Sequence, residues 1–98
     1  MDNLKITQHA GDGGGEYHAS FAGSDDTGRL TYKIREEGVR VADHTLVPPS
    51  MRGRGVAAQL VERLVADARE EGFKIVPQCS YVEAAFNRND EWSDLRAS

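Results

Sequence analysis

Between Val39 and Ala68 the spacing of the apolar residues changes from that of a strand to that of a helix, and the change happens across Pro48-Pro49 and Arg52-Gly53-Arg54-Gly55. Upstream, Val39, Val41, Asp43, Thr45 and Val47 are expected to point one way along an extended run, with Arg40, Ala42, His44 and Leu46 pointing the other. Pro48-Pro49 ends that strand, since neither proline can donate a ladder hydrogen bond. Downstream, Val56, Ala57, Leu60, Val61, Leu64, Val65 and Ala68 fall on one helical stripe opposite Glu62, Arg63, Arg69 and Glu70. Gly72 is placed to cap the helix. A strand, a short glycine loop and an amphipathic helix in that order admit few folds.

The rest of the chain extends this unit on both sides. Leu4, Ile6 and Gln8 alternate with polar neighbours, and so do Tyr17, Ala19 and Phe21 after the glycine-rich stretch Gly11 to Gly15, which reads as a hairpin connection. Ser24-Asp25-Asp26-Thr27-Gly28 is a second turn, followed by Leu30, Tyr32 and Ile34 at period two, then Glu37-Gly38 and the run to Val47. After the helix, Phe73 to Pro77 is short, apolar and fit for a strand paired in parallel with the one before the helix. A second helix is expected from Cys79 or Ser80 to about Arg88, with Tyr81, Val82 and Phe86 on its core face. In the polar tail, Trp92 and Leu95 dock back on the body. The fold class is therefore α+β, a mixed α/β unit: a mainly antiparallel, twisted sheet of about five strands with two helices.

At 98 residues the chain makes one domain, 1–98, because smaller pieces could not bury an adequate core. Its formal net charge of -4 argues against general nucleic-acid binding, which needs a basic field. The single cysteine excludes an internal disulfide and any paired-cysteine metal knuckle, and three histidines without clustered spacing make no metal site. No apolar run approaches the roughly 20 residues that span a bilayer, and the start Met1-Asp2-Asn3-Leu4-Lys5 lacks the features of a signal peptide. The expected setting is cytoplasmic.

Arg52-Gly53-Arg54-Gly55-Val56-Ala57 lies where unpaired backbone N–H groups and the positive end of a helix dipole coincide, which is an anion site. Glycines at 53 and 55 would let a phosphate approach the backbone, Ala57 keeps the first helical turn slim, and the two arginines can add charge-assisted contacts. The loop is not a Walker loop, because no Gly-Lys-Ser/Thr follows, and it lacks the third glycine of a dinucleotide fingerprint.

The run from Asp43 to Ala57 with its helix resembles the acetyl-CoA signature of the GNAT superfamily of N-acetyltransferases, Gln/Arg-x-x-Gly-x-Gly/Ala. More narrowly, His44-Thr45, Pro48, Arg52-Gly53-Arg54-Gly55, Pro77, Cys79, Tyr81-Val82, Arg88-Asn89 and Trp92 are similar to a family of very small GNAT-like proteins. The resemblance runs from about Tyr32 to Leu95. It implies acetyl-CoA as cosubstrate, with its pyrophosphate on the N–H groups of Arg52, Gly53, Arg54, Gly55, Val56 and Ala57 and its pantetheine arm paired with Thr45, Leu46 and Val47. Relatives often carry His-Pro-Glu where this chain has Asn89-Asp90-Glu91, so no role is assigned there.

Two side chains are expected near the acyl group. Cys79 falls at the start of a helix, where the dipole favours a thiolate; the resemblance implies that it is a nucleophile, while most GNAT enzymes transfer directly, which would make it a wall residue or a proton donor to CoA. His44 is the candidate base, since its strand leads into the glycine loop and imidazole titrates near neutrality. Tyr81 could donate a proton. His9 and His18 are expected at the surface. The implied function is acetyl transfer to an amine, either a protein lysine or a small molecule such as a polyamine, by a monomer or weak dimer that binds no nucleic acid or membrane. The alternative is a CoA-binding interaction module without turnover.

Overall fold

The computed structural model describes residues 4–97. Four antiparallel strands come first: β1 (Leu4–Gly11), β2 (Gly14–Phe21), β3 (Gly28–Glu36) and β4 (Val39–Leu46). A 3-10 turn at Pro49–Met51 leads into α1 (Val56–Glu71), and then follow β5 (Lys74–Pro77), α2 (Ser80–Arg88) and a second 3-10 turn, Asp90–Leu95. The sheet order is β1-β2-β3-β4-β5, with only β4 and β5 parallel. This is the α+β architecture expected from the change of period, and the second helix has the expected limits.

Both helices pack on one face of the sheet. Tyr17, Ala19 and Phe21 of β2 and Leu30 and Tyr32 of β3 point to that face and are buried, together with Leu60, Val61, Leu64 and Val65 of α1 and Val82, Ala85 and Phe86 of α2. The stripe read from the sequence is the core face of α1, and burying several such side chains at about 1.5–3 kcal/mol each is what holds the layers together. The Tyr17 hydroxyl donates to Asp67 of α1 at 2.6 Å; burial first, and then the Asp67 carboxylate, push the Tyr17 phenol well above its ordinary value. Arg63 completes the tie, donating to Asp67 and to the Ile6 carbonyl, each at 3.3 Å. The tail docks as expected: Leu95 is buried, Trp92 meets Phe86 edge-on with ring centroids 5.4 Å apart, and the Ala97 N–H donates to the Ile75 carbonyl at 2.7 Å.

Two features depart from the alternation read in the sequence. The glycine-rich stretch is not all turn: Asp12-Gly13 alone connects the hairpin, while Gly14 and Gly15 are paired residues of β2. They are glycines because there is no room for more. A Cβ on Gly14 would lie 2.5 Å from the Tyr32 carbonyl oxygen, and one on Gly15 would lie 2.5 Å from the Tyr32 hydroxyl and 2.8 Å from the His9 carbonyl oxygen. The second departure corrects the two faces assigned to β4. Thr31 pairs with His44 and Tyr32 with Ala42, so Asp43 is an extra residue, a β-bulge. Beyond it the alternation changes phase: Thr45 opposite Leu30 shares the helix side with Ala42 opposite Tyr32, while Asp43, His44 and Leu46 lie on the bare side.

Candidate functional site

The bulge coincides with the place where β4 parts from β5. The parallel pairing covers only Val39 to Ala42 opposite Lys74 to Pro77. The Cys79 N–H then donates to the Ala42 carbonyl at 2.9 Å, and the chain turns away into α2. From Asp43 onward β4 has no strand on that side, and beyond it a cleft separates Val47 from Tyr81 of α2.

The glycine loop lines that cleft. Gly53 and Gly55 have φ of 76° and 74°, the left-handed region that side chains disfavour. A Cβ on either would meet nothing within 4 Å, so the space beside the loop is open. Gly55 is the N-cap of α1, and its carbonyl takes the first helical hydrogen bond, from the Gln59 N–H at 3.1 Å. The N–H groups of Gly53, Gly55, Val56, Ala57 and Ala58 have no partner among the described residues. This is the anion-binding geometry of a helix N-terminus with the steric block removed. The Val56 side chain is in the core, so only its N–H is presented.

The two arginines of the loop have structural partners. Arg52 Nε donates to the Val47 carbonyl at 3.2 Å, bracing the elbow between β4 and the loop. The Arg54 guanidinium stacks on the Phe21 ring, 3.8 Å from its centroid. A cavity of about 240 Å³ runs from Val47 and Met51 past Gly53, Gly55 and Ala57 to Tyr81. Tyr81, expected on the core face of α2, is only half-buried and forms a wall of this cavity. The helix turns by about 100° per residue, which puts Tyr81 beside the buried stripe of Val82, Ala85 and Phe86 rather than in it. Met51 was not singled out in the sequence, because a methionine in a turn carries no chemical signature.

Cys79 is the N-cap residue of α2. Its thiol donates to Thr45 Oγ1 at 3.5 Å, which the phase change in β4 makes possible by turning Thr45 toward the helices. Burial alone would push the Cys79 thiol up, but once the sulfur is ionised the Thr45 hydroxyl can reverse its role and donate to it, and with the Val82, Tyr81 and Thr45 N–H groups this outweighs burial and leaves the thiol below its ordinary value. The sulfur makes no side-chain cap hydrogen bond to α2, so in the neutral thiol its one side-chain partner among the described residues is Thr45. His44 stands on the other side of β4. Its side chain is exposed and has no hydrogen-bond partner among the described residues. Cys79 and His44 thus flank the strand at the cleft instead of touching.

His9 and His18 are on the bare face, as a pair with ring centroids 4.0 Å apart, and His18 Nε2 lies 2.8 Å from Glu16. Among the described residues no group of three or more His, Cys, Asp or Glu is arranged to hold a metal ion, and no helix is long and apolar enough to cross a membrane.

A family model described as GCN5-related N-acetyl-transferase matches residues 16–95. The fold is similar to the solution structure of a GCN5-like protein from Staphylococcus aureus, with a TM-score of 0.73 and 26% identity over 100% of this chain and 92% of that one. It is also similar in fold to a GNAT family acetyltransferase from Elizabethkingia anophelis crystallised with acetyl-CoA bound, with a TM-score of 0.65 and 14% identity over 90% of this chain and 74% of that one. The family match takes in the strand that parts, the glycine loop, both helices and Cys79, and the chain belongs to the GCN5-related N-acetyltransferases.

Proposed function

We propose that this chain binds acetyl-CoA in the cleft between β4 and α2 and transfers the acetyl group to an amine, with Cys79 as the acyl carrier. The observation that carries the reading is the meeting, at one cleft, of a glycine loop with unpartnered N–H groups and a strand edge without a neighbour. The residues fit the cosubstrate: the open space beside Gly53 and Gly55 admits a pyrophosphate, and the edge of Thr45, Leu46 and Val47 offers hydrogen bonds to the amides of a pantetheine arm. Arg52 and Arg54 brace the loop and lend positive charge.

The Thr45 contact and the start of α2 favour the nucleophilic form of Cys79. In the first step its thiolate attacks the thioester carbonyl carbon, the bond from that carbon to the CoA sulfur breaks, and the departing thiolate takes a proton from solvent. In the second step an unprotonated amine attacks the acetyl-cysteine carbonyl, the carbon–sulfur bond to Cys79 breaks, and the amine proton passes by way of solvent to His44 on the bare side of β4. A cytosolic setting, which keeps a lone thiol reduced, suits this chemistry.

The test is calorimetry and intact-mass spectrometry with acetyl-CoA on the wild type, Gly55→Trp and Cys79→Ala. Binding is expected in the wild type and lost in Gly55→Trp, whose fold is checked by circular dichroism. An acetyl adduct is expected in the wild type and absent in Cys79→Ala. Transfer that survives in Cys79→Ala would replace the carrier by direct attack of the amine. Binding without any transfer would make the chain a CoA-binding module, and failure of the wild type to bind acetyl-CoA would overturn the reading.

A further inference from the structure

With both helices on one side, the opposite face of the five-stranded sheet is bare. Four strands of eight or nine residues and the four-residue β5, about 4.8 Å apart, make that face roughly 600 Å² in plan, below the roughly 800 Å² one partner contributes to a standard protein–protein interface and of a size for a short segment. A cavity of about 480 Å³ lies on it, bordered by the His9–His18 pair at one end and by Lys33 and Asp43 at the other. It has no roof, whereas small-molecule sites enclose most of their ligand. The shape suits a chain laid across the strands.

The charges on this face are arranged unequally in depth. Glu16 is drawn in against His18 at 2.8 Å and Arg29 at 3.7 Å. Asp43 accepts from the Thr31 hydroxyl at 2.6 Å and pairs with Lys33 at 3.7 Å. Their side chains are 39% and 18% exposed, while those of Arg29 and Lys33 are 50% and 76% exposed. The outermost charges bordering the cavity are therefore cationic, on a chain whose net charge is -4. Leu46, cross-strand from Arg29, is 51% exposed on the same face and next but one to His44. It gives an aliphatic stem something apolar to lie on at the end of the sheet where the cleft opens.

Resting on the acetyltransferase reading above, we propose that the bare face is the acceptor platform and that the acceptor is a protein segment whose target lysine is flanked by acidic residues. The acidic residues meet Arg29 and Lys33, the lysine stem crosses Leu46, and its amine reaches the cleft beside His44. A polyamine would have to reach Glu16 and Asp43 past their more exposed cationic partners. A nucleic acid, though anionic, is repelled by the acidic remainder of the chain over a distance that a short segment does not span.

The test uses the whole chain with three peptides, each carrying one central lysine and flanked by aspartate and glutamate, by serine and alanine, or by lysine and arginine, alongside spermidine and a single-stranded oligonucleotide. Direct binding without acetyl-CoA is measured by fluorescence anisotropy, and CoA release reports transfer. The acidic peptide is expected to bind about tenfold better than the neutral one, with the difference shrinking as salt rises. In Arg29→Glu/Lys33→Glu the order of acidic and basic peptides is expected to reverse, while Arg29→Lys/Lys33→Arg keeps the wild-type order. Affinity indifferent to flanking charge, tighter binding of the basic peptide or spermidine, or preference for the oligonucleotide would overturn the proposal. Charge-selective peptide binding with no CoA release would uphold the platform and sink the acetyltransferase reading alone.

Discussion

Cys79 is held between opposing influences: burial disfavours its charged form, and the Thr45 hydroxyl with the first N–H groups of α2 favours it. Removing the hydroxyl leaves burial less opposed, so in Thr45→Val the thiol titrates higher and less thiolate is present near pH 7. The expected outcome, read from the rate of iodoacetamide alkylation against pH, is a midpoint below that of an unhindered thiol in the wild type and an upward shift in the variant. An unchanged midpoint would mean that backbone N–H groups, those of α2 and of residue 45, set the acidity without the hydroxyl. Gly14 offers a second single-residue test, because a Cβ there meets a backbone carbonyl that cannot swing aside. Gly14→Ala is expected to cost about 1–3 kcal/mol in urea unfolding, although alanine is the better residue in a strand on propensity alone.

Among the elements, β4 does the most positioning, and its bulge is the device. Deleting Asp43 would make the pairing continuous from Tyr32 through Thr31 to Leu30, leaving the second irregularity at Ile34 and Glu36 in place: Ala42 and Thr45 would still face the helices and His44 the bare side. The strand would lose the local bend that bulges impose. The expected result is a folded protein by circular dichroism that no longer binds acetyl-CoA by calorimetry; retained affinity would show that the cleft does not depend on the bulge. In α1, Leu64→Ala is expected to cost about 2–5 kcal/mol and Glu62→Ala less than about 0.5 kcal/mol, compared by chemical denaturation. The elements were legible in the sequence because Val56 to Ala68 and Tyr17 to Phe21 carry unbroken periods. The bulge was not, because Asp43 and His44 are both polar and either phase of the alternation reads equally well. The glycine loop was legible from composition and order. The brace from Arg52 to Val47, the stack of Arg54 on Phe21, and the placement of Cys79 and His44 on opposite sides of β4 are tertiary facts that no spacing encodes.

For the molecule as a whole, the core is completed late in the chain. Ile75, Val82, Phe86 and Leu95 all belong to the cluster that Tyr17, Leu30 and Leu60 begin. Removing residues 89–98 strips Leu95 and Trp92 from that cluster and is expected to lower stability by about 3–5 kcal/mol, seen as a melting temperature lower by about 15 °C or more. A smaller change would show that the tail is an ornament on a finished core. Every strand lies beside its neighbour in sequence, and all pairings but that of β4 with β5 are made through short turns. On a ribosome, the meander could therefore assemble hairpin by hairpin as it emerges, each closure spanning few residues and costing little loop entropy. It would wait, with its greasy side uncovered, until α1 and the last strand arrive, which makes the interval between synthesis of Leu46 and of Phe86 the time when this chain most needs a chaperone.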